Sequence, residues 1–315
     1  MPDSTRLYKC TIDMEATYGT GDGAATAIPL TNDSFPSIEK EDVTIPVYDS
    51  SLGRSTSYPG FLTWNMPVKF YLKGPTTAKF NAGTASELGK LFRCFGLQET
   101  LTALTSQAWK VRDSGHESAT FTVNLNGVQY QVTGARGEEL KINLEAGKAT
   151  ICEGNVRGLY NAPTLVAYSA PTFADSEVVP QNVASMAMTF NGATHIIPRM
   201  SVTIKNVGDY VEDINSPNGI YRYEITGREY EVEGIALRDS SNDLEWWSNL
   251  TTPTPISAAS TGYGIASGNK YDIDFANFQF TDVKPAEYKG SQAYTFKGAI
   301  NKHATAASEF QIKIT

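Results

Sequence analysis

Few residues in this sequence combine a reactive side chain with the spacing that catalysis requires. Asp272 and Asp274, in the segment YDIDF, place two carboxylates on one face of a predicted strand, an arrangement that general acid and base catalysis can use. A solvated strand face is the commoner reason for such a pair. The three histidines have no second histidine or cysteine at metal-ligand spacing, and neither a GxSxG nor an HExxH motif occurs. The sequence therefore predicts no enzyme activity, no metal site and no cofactor.

The glycine run EATYGTGDGAAT, from Glu15 to Thr26, is the second chemical candidate, because glycine-rich loops can cradle phosphate. It lacks the Gly-Lys-Ser/Thr ending of a phosphate loop, and an extended segment follows it where a helix is needed. We expect a flexible surface connection between strands, near a contact with another subunit.

A third stretch, IPVYDSSLGRSTSYPGFLTW from Ile45 to Trp64, is rich in apolar side chains set among Gly, Pro and Ser. No regular periodicity places all of them in one core, which predicts a long loop with a function of its own. The loop either folds back on its own domain or forms an arm that docks on a neighbouring protein. The arm residues are Val47, Tyr48, Leu52, Tyr58 and Phe61. The segment GDYVEDINSPNGIY, Gly208 to Tyr221, falls at the matching place later in the chain.

Composition narrows the class of protein. The chain has 315 residues and a net charge of −8, and no dense cluster of Lys and Arg occurs, which argues against stable binding to nucleic acid. The three cysteines, Cys10, Cys94 and Cys152, are widely spaced, so we expect buried, reduced thiols. The N-terminal residues form no signal peptide, and no run of 18 apolar residues occurs. We expect neither secretion by a signal peptide nor membrane insertion.

The elements that hold these residues are predicted to be mainly β. Alternating apolar residues on both sides of Asn126-Gly127 predict a type I′ hairpin, and Asn191-Gly192 predicts another. One helix is predicted in TASELGKLFRCFG, with a Thr84–Glu87 capping box, an apolar stripe and a closing Gly96. A second short helix is predicted in NDLEWWSNL. The stripe comprises Leu88, Leu91, Phe92 and Phe95.

The strand and helix order of the first half returns in the second half. The segment AGKATICEGNVRGLY is similar to GSQAYTFKGAINKHA, with Ala149 and Gly154 matching Ala293 and Gly298. An internal duplication follows. We predict a first domain over residues 1–165, a linker over 166–180 and a second domain over 181–315.

Several short motifs resemble those of the tail tube (major tail) proteins of long-tailed bacteriophages. Near the N-terminus the motif is EATYGT, from Glu15 to Thr20. Within VTGARGEELKINLEAGKATICEGNVRGLYNAP the matching motifs are GARG, LEAGK and GLYNAP, which begin at Gly134, Leu144 and Gly158. The second half fits more loosely, through SGNKYDIDFANFQF and the closing FQIKIT.

The resemblance implies two tandem β-sandwich or partly closed barrel domains, each with one short flanking α-helix. In that family subunits join edge to edge into rings, which stack into a hollow tube through which DNA passes. Two such domains per chain imply three chains per ring, with the Ile45–Trp64 arm linking one ring to the next. Asp272 and Asp274 are then possible lumen-facing acids, because an acidic lumen repels passing DNA.

The same resemblance implies partners and a location. The main partner is the chain itself, as a homotrimeric, pseudo-hexameric ring stacked into a tube. Tape-measure, tail-terminator and baseplate or tail-tip proteins are further expected partners, and contact with DNA is transient and non-specific. The protein is expected in the virion tail, after assembly in the host cytoplasm.

An alternative function is a two-domain β-rich binding module, of the carbohydrate-binding or adhesin-like kind. Trp246 and Trp247 are the sharpest candidates for stacking on sugars, although at least one of them is expected in the core. An enzyme is the third and least favoured hypothesis. It would need Asp272 or Asp274 to lie in a deep pocket beside another carboxylate.

Overall fold

The chain is mainly β, as its sequence predicts. A computed structural model describes residues 7–31, 34–44, 57–73, 87–103, 105–173, 188–190, 192–238, 243–251, 256–259, 270–303 and 309–315. Two short helices accompany the strands in this part of the chain: α1, Glu87–Cys94, and α2, Asp243–Thr251.

Eleven strands lie in the described residues of the first half. They are β1 Tyr8–Thr17, β2 Thr20–Gly21, β3 Thr26–Ala27, β4 Ser37–Thr44, β5 Ser57–Tyr71, β6 Leu97–Thr102, β7 Ser106–Val111, β8 Ala119–Leu125, β9 Val128–Glu145, β10 Ile151–Leu159 and β11 Thr164–Leu165.

The second half contributes eight strands within the described ranges. They are β12 Thr189–Phe190, β13 Ala193–Thr194, β14 Arg199–Glu212, β15 Ile220–Leu237, β16 Ile256–Ala259, β17 Tyr271–Tyr288, β18 Ser291–Ile300 and β19 Phe310–Ile314. A short 3-10 turn, Pro217–Gly219, separates β14 from β15.

Local signals in the sequence predict the hairpin of β8 and β9 and the helix α1 correctly. Asn126 and Gly127 both have positive φ, 45° and 98°, as a type I′ turn requires between β8 and β9. The apolar stripe of α1 is fully buried, and Gly96 ends the helix with φ 78°. Thr84, the predicted cap, lies outside the described residues.

The two halves repeat one pattern of strand pairing. In the first half the order is β1-β8-β9-β10-β5-β4, and in the second it is β12-β16-β17-β18-β15-β14. Gly154 stands between Val68 and Leu140, as Gly298 stands between Val232 and Phe280. This correspondence agrees with the predicted duplication. The division into two domains joined by a linker stays a prediction, because the sheet itself crosses from one half to the other.

That crossing is made by β9 and β14. Along one edge of β9, residues 128–135 pair with β8. Further along the same edge, residues 139–145 of β9 pair with residues 199–205 of β14. The sheet therefore runs without interruption through eight antiparallel strands in the order β4-β5-β10-β9-β14-β15-β18-β17.

The eight-strand sheet has an apolar face and a polar face, as alternation along each strand requires. One directly paired row across seven strands is buried: Phe70, Cys152, Ile142, Val202, Val232, Gly298 and Phe280. The neighbouring row points the other way and is largely polar: Lys69, Glu153, Lys141, Thr203, Glu231, Ala299 and Gln279.

The prediction of a long loop over Ile45–Trp64 is wrong for the last eight of these residues. Ser57 to Trp64 belong to β5, which pairs with β4 on one edge and with β10 on the other. Pro59 and Gly60 mask the strand pattern in the sequence. The strand forms here because β4 satisfies its backbone groups along one edge, while β10 joins the other edge only from Thr63 onwards. The two strands β4 and β5 form what we call the first hairpin, whose tip lies outside the described residues.

Candidate functional site

The arm residues predicted from the sequence fall around the first hairpin. Val47, Tyr48 and Leu52 lie outside the described residues. Tyr58 is 56% exposed, and the ring of Phe61 packs against Gly219, beside the 3-10 turn between β14 and β15. The contact therefore joins the first hairpin to the matching hairpin of the second half.

The outer strand of the first hairpin is the most solvent-exposed strand of the sheet. All eight residues of β4 are exposed, including Ile38 and Val43 at 48% and 47%. Within the described residues no strand pairs with the outer edge of β4. Unpaired edges with apolar side chains are sites where another chain adds a strand.

Asp272 and Asp274 are half-buried, on the part of β17 that pairs with β16 and β19. Asp272 stands opposite Lys313, and Asp274 stands opposite Gln311. Phe275 and Phe278 are both buried, and Asn277 between them has φ 55°, so the strand is irregular here. A position in a lumen stays a prediction for both acids.

The EATYGT motif forms a half-buried hydrogen-bond network. The Glu15 carboxylate accepts hydrogen bonds from the backbone N–H groups of Gly19 and Gly134, each at 2.8 Å. It also accepts from the hydroxyls of Ser118, at 2.6 Å, and Thr120, at 2.7 Å. Four donors from three parts of the chain therefore fix one carboxylate, which makes this motif a structural anchor.

Tyr18, in the same motif, connects the two halves of the chain. Its hydroxyl donates to the carbonyl of Gly134, at 2.9 Å, and accepts from the backbone N–H of Tyr223 in β15, at 2.8 Å. The guanidinium of Arg136 stacks on the Tyr18 ring, 5.2 Å from its centroid, and donates to the Tyr223 carbonyl. The EATYGT and GARG motifs therefore hold one residue of the second half from both sides.

Asn206 and Arg228, paired on β14 and β15, hold the halves together a second time. The Asn206 amide donates to the carbonyls of Phe95 and Gly137, at 3.0 and 2.8 Å, and is almost wholly buried. Arg228 donates to Asn206 Oδ1 and to the carbonyl of Gly96. We call this contact, together with the Tyr18 and Arg136 contacts and the β9–β14 pairing, the junction.

Charges line the first-half side of the junction. Burial raises the pKa of Glu117, but hydrogen bonds from Arg93 and Arg112 outweigh it and hold that pKa below its usual value. Burial lowers the pKa of His116, whose Nε2 lies 2.9 Å from the Arg112 carbonyl, and the nearby guanidinium groups lower it further. The lowered pKa values favour an ionised Glu117 carboxylate and a neutral His116 imidazole at neutral pH.

The polar face of the sheet carries ion pairs of mixed sign. Lys69 pairs with Glu153, and Lys297 pairs with both Glu231 and Glu233. The net negative charge of the chain is therefore not concentrated on this face, where Lys and Glu stand on neighbouring strands.

The two tryptophans named for the carbohydrate-binding alternative both lie on α2 but differ in burial. Trp246 is buried among Phe190, Phe280 and Phe296 and cannot stack on a sugar. Trp247 is 38% exposed. One of the two rings therefore lies in the core, as expected, and Trp247 is the ring that stays available for stacking.

Sequence reasoning did not single out the junction residues Asn206 and Arg228. Neither lies in a motif, and each acts through main-chain carbonyls that only the fold brings close. The available signal was the motif resemblance at Glu15, Tyr18 and Arg136, which does point to this region.

The residues that the structure describes contain no group of three or more His, Cys, Asp or Glu placed to hold a metal ion. In the same part of the chain, neither helix has the length and apolar character needed to cross a membrane.

Comparison with known proteins adds no family to this geometry. No protein-family model and no curated protein sequence matches the chain.

Proposed function

We propose that this protein is a structural virion protein that assembles into the tail tube of a long-tailed bacteriophage. Three copies form a pseudo-hexameric ring, and rings stack into a hollow tube through which DNA passes. The observation that carries this proposal is the eight-strand sheet, which continues from one half into the other. Within the described residues no strand covers the outer edge of β4 or the far edge of β17 beyond Phe278.

A sheet with two uncovered edges favours an assembled state over the monomer. Exposed edges pair with other chains unless they are covered. A heterologous contact, in which one edge meets a different edge of the next copy, closes into a ring when the rotation allows. The apolar face of the sheet is already covered within the chain, so growth of the assembly uses edges.

The junction supports the ring geometry. It shows how one half of the chain docks on the other through strand pairing and buried hydrogen bonds. If the halves of neighbouring copies meet in a similar way, six similar units surround one axis with three chains. Stacking of the rings is then assigned to the first hairpin, which carries Tyr58 and the predicted arm.

The polar face of the sheet suits the wall of a DNA channel. Cross-strand pairs such as Lys69 with Glu153 set acidic groups beside basic ones on this face, which weakens its attraction for passing phosphates. In this proposal smooth passage comes from charge pairing on the sheet, and Asp272 and Asp274 add acidic groups nearby. Tape-measure, terminator and tail-tip proteins are the proposed partners at the tube interior and ends.

Electron microscopy of the purified protein tests the proposal. We expect rings with three-fold symmetry and six similar lobes, and tubes of stacked rings at higher concentration. Sedimentation should give a trimer as the smallest stable assembly. A protein that stays monomeric at high concentration, and that antibodies fail to find on phage tails, would contradict the proposal.

A further inference from the structure

The junction uses one sheet edge of the first half and leaves the equivalent edge of the second half open. Residues 139–145 of β9 are covered by β14. The equivalent stretch of β17 begins at Gln279, which pairs with Ala299 as Glu139 pairs with Asn155. The far edge of β17 is the one opposite β18, and its pairing with β16 stops at Phe278. Within the described residues no strand pairs with that edge beyond this point.

The strand that fills this edge in the junction also has an equivalent. Lys205 of β14, which stands opposite Glu139, pairs with Glu229 of β15. Ser37 of β4 holds the same position, because it pairs with Asn65, three residues before Val68, as Glu229 comes three residues before Val232. In the chain itself β4 lies at the opposite end of the sheet from β17.

A buried residue of the junction has an exposed counterpart in β4. Asn206 pairs with Arg228 and is 2% exposed, because the first half covers it. At the same register Ile38 pairs with Trp64 and is 48% exposed. The described residues of one copy leave this isoleucine half-exposed on a sheet edge, where an apolar contact with a second copy would bury it.

We propose that Ser37, the first residue of β4, stands opposite Gln279 on the β17 edge of a second copy, in the register of the junction. Ile38 lies one residue beyond this last paired position and is then buried between the two copies, as Asn206 is buried at the junction. This proposal rests on the proposed ring, and it names the two edges that close it.

Cysteine cross-linking tests this register. The double variant Ser37→Cys/Gln279→Cys places thiols on directly opposed positions of different copies, at the 4.5–5.5 Å separation of paired Cα atoms that a disulfide or a short bis-maleimide spans. The three native cysteines are buried and do not compete. We expect a covalent ladder that ends at trimer on a non-reducing gel.

The chain offers a matched control. Glu139→Cys/Lys205→Cys joins the equivalent positions inside one copy and should cross-link as a monomer. A mixture of the two single variants, Ser37→Cys and Gln279→Cys, should stop at dimer. Rings that assemble while the double variant fails to cross-link, with the control pair reacting, would overturn the pairing but leave the proposed function standing. A protein that never assembles would overturn both.

A charge substitution gives a second readout. Ile38→Glu should raise the protein concentration needed for ring formation by about ten-fold or more, because a buried carboxylate opposes the contact. Ile196→Glu, at an isoleucine that is 63% exposed and belongs to neither edge, should assemble like the parent protein. Equal assembly of both variants at the parent's concentration would overturn the proposal.

Discussion

Lys69 and Glu153 face each other on directly paired positions of β5 and β10, with 2.8 Å between the ammonium nitrogen and a carboxylate oxygen. At the equivalent positions of β15 and β18, Glu233 and Lys297 form the same contact with the charges exchanged. Geometry is kept in both halves while the residue types are not. A cross-strand ion pair at this place therefore matters to the sheet more than the sign of either partner.

Removal of the Tyr18 hydroxyl should loosen the junction. Tyr18→Phe leaves the Tyr223 N–H and the Gly134 carbonyl without this partner, so we expect a loss of about 1–3 kcal/mol in the free energy of unfolding. Urea denaturation measures it, and hydrogen exchange should speed up at the Tyr223 amide. Tyr58→Phe, at an exposed tyrosine, is the matched control and should change stability by less than about 0.5 kcal/mol. Equal stability of the two variants would argue against Tyr18 as a link between the halves.

A charge in place of the Asn206 amide should disrupt the same contact from the other side. Asn206→Asp replaces a donor to two carbonyls with a buried carboxylate, which repels both oxygens. Arg228 still donates to Oδ1 and offsets part of this repulsion, so we expect destabilisation of about 1–3 kcal/mol. Urea denaturation at pH 7 measures the difference. An Asn206→Asp variant as stable as the parent would contradict the assigned contact.

The two matched glycines should tolerate a methyl group equally badly. A Cβ at Gly154 would lie 2.6 Å from the Glu139 carbonyl oxygen and from the Phe95 ring, and one at Gly298 would overlap the Phe278 ring. Gly154→Ala and Gly298→Ala should each cost about 1–3 kcal/mol. Gly227→Ala meets no atom closer than 3.6 Å and should be nearly neutral in the same chemical denaturation series. A neutral Gly298→Ala would show that the two halves are packed differently.

Acid should weaken the junction through His116 and Glu117. Both pKa values are lowered in the folded protein, so the unfolded chain binds more protons and stability falls as the pH drops from about 6.5 through each folded pKa. The His116→Gln variant should therefore lose less stability than the parent between pH 7 and pH 5. Unfolding midpoints across that range measure the slope. An unchanged slope would assign the acid sensitivity to other groups.

Shortening the tip of the first hairpin should separate ring formation from stacking. Replacement of residues 46–55 by a short Gly-Ser turn removes Val47, Tyr48 and Leu52, and we expect three-fold rings that no longer form tubes. Electron microscopy checks this outcome. Trp247→Ala, at the exposed tryptophan of α2, should still give tubes. Long tubes from the shortened variant would refute the arm hypothesis.

Sequence patterns predict the local elements of this fold well. The Asn126-Gly127 turn and the α1 stripe depend on contacts a few residues apart, so periodicity alone identifies them. The pairing of β9 with β14 depends on an edge that becomes available only when β8 ends, and no pattern in either strand encodes it. The strand over Ser57 to Trp64 was missed for a different reason: Pro59 and Gly60 break the alternating pattern, and pairing with β4 forms the strand in spite of them.

The motifs that carry the family resemblance contain part of the junction, although no contact between the halves was predicted there. The EATYGT and GARG motifs contain Tyr18 and Arg136, which both bind Tyr223 of the second half. They bind its main-chain groups, and main-chain groups carry no signal in side-chain types. For that reason the sequence pointed to one side of the junction and gave no indication of Asn206 and Arg228 on the other side.

The pairing of β19 with β7 also has a consequence for folding. Gln311 stands opposite Lys110, about 200 residues earlier in the chain, and β19 fills the edge of β7 that β6 leaves open. During synthesis that edge stays bare until the last part of the second half has left the ribosome, since contacts between distant residues form late. The first half therefore completes its fold only with the second half present, which delays self-association until β19 has been made.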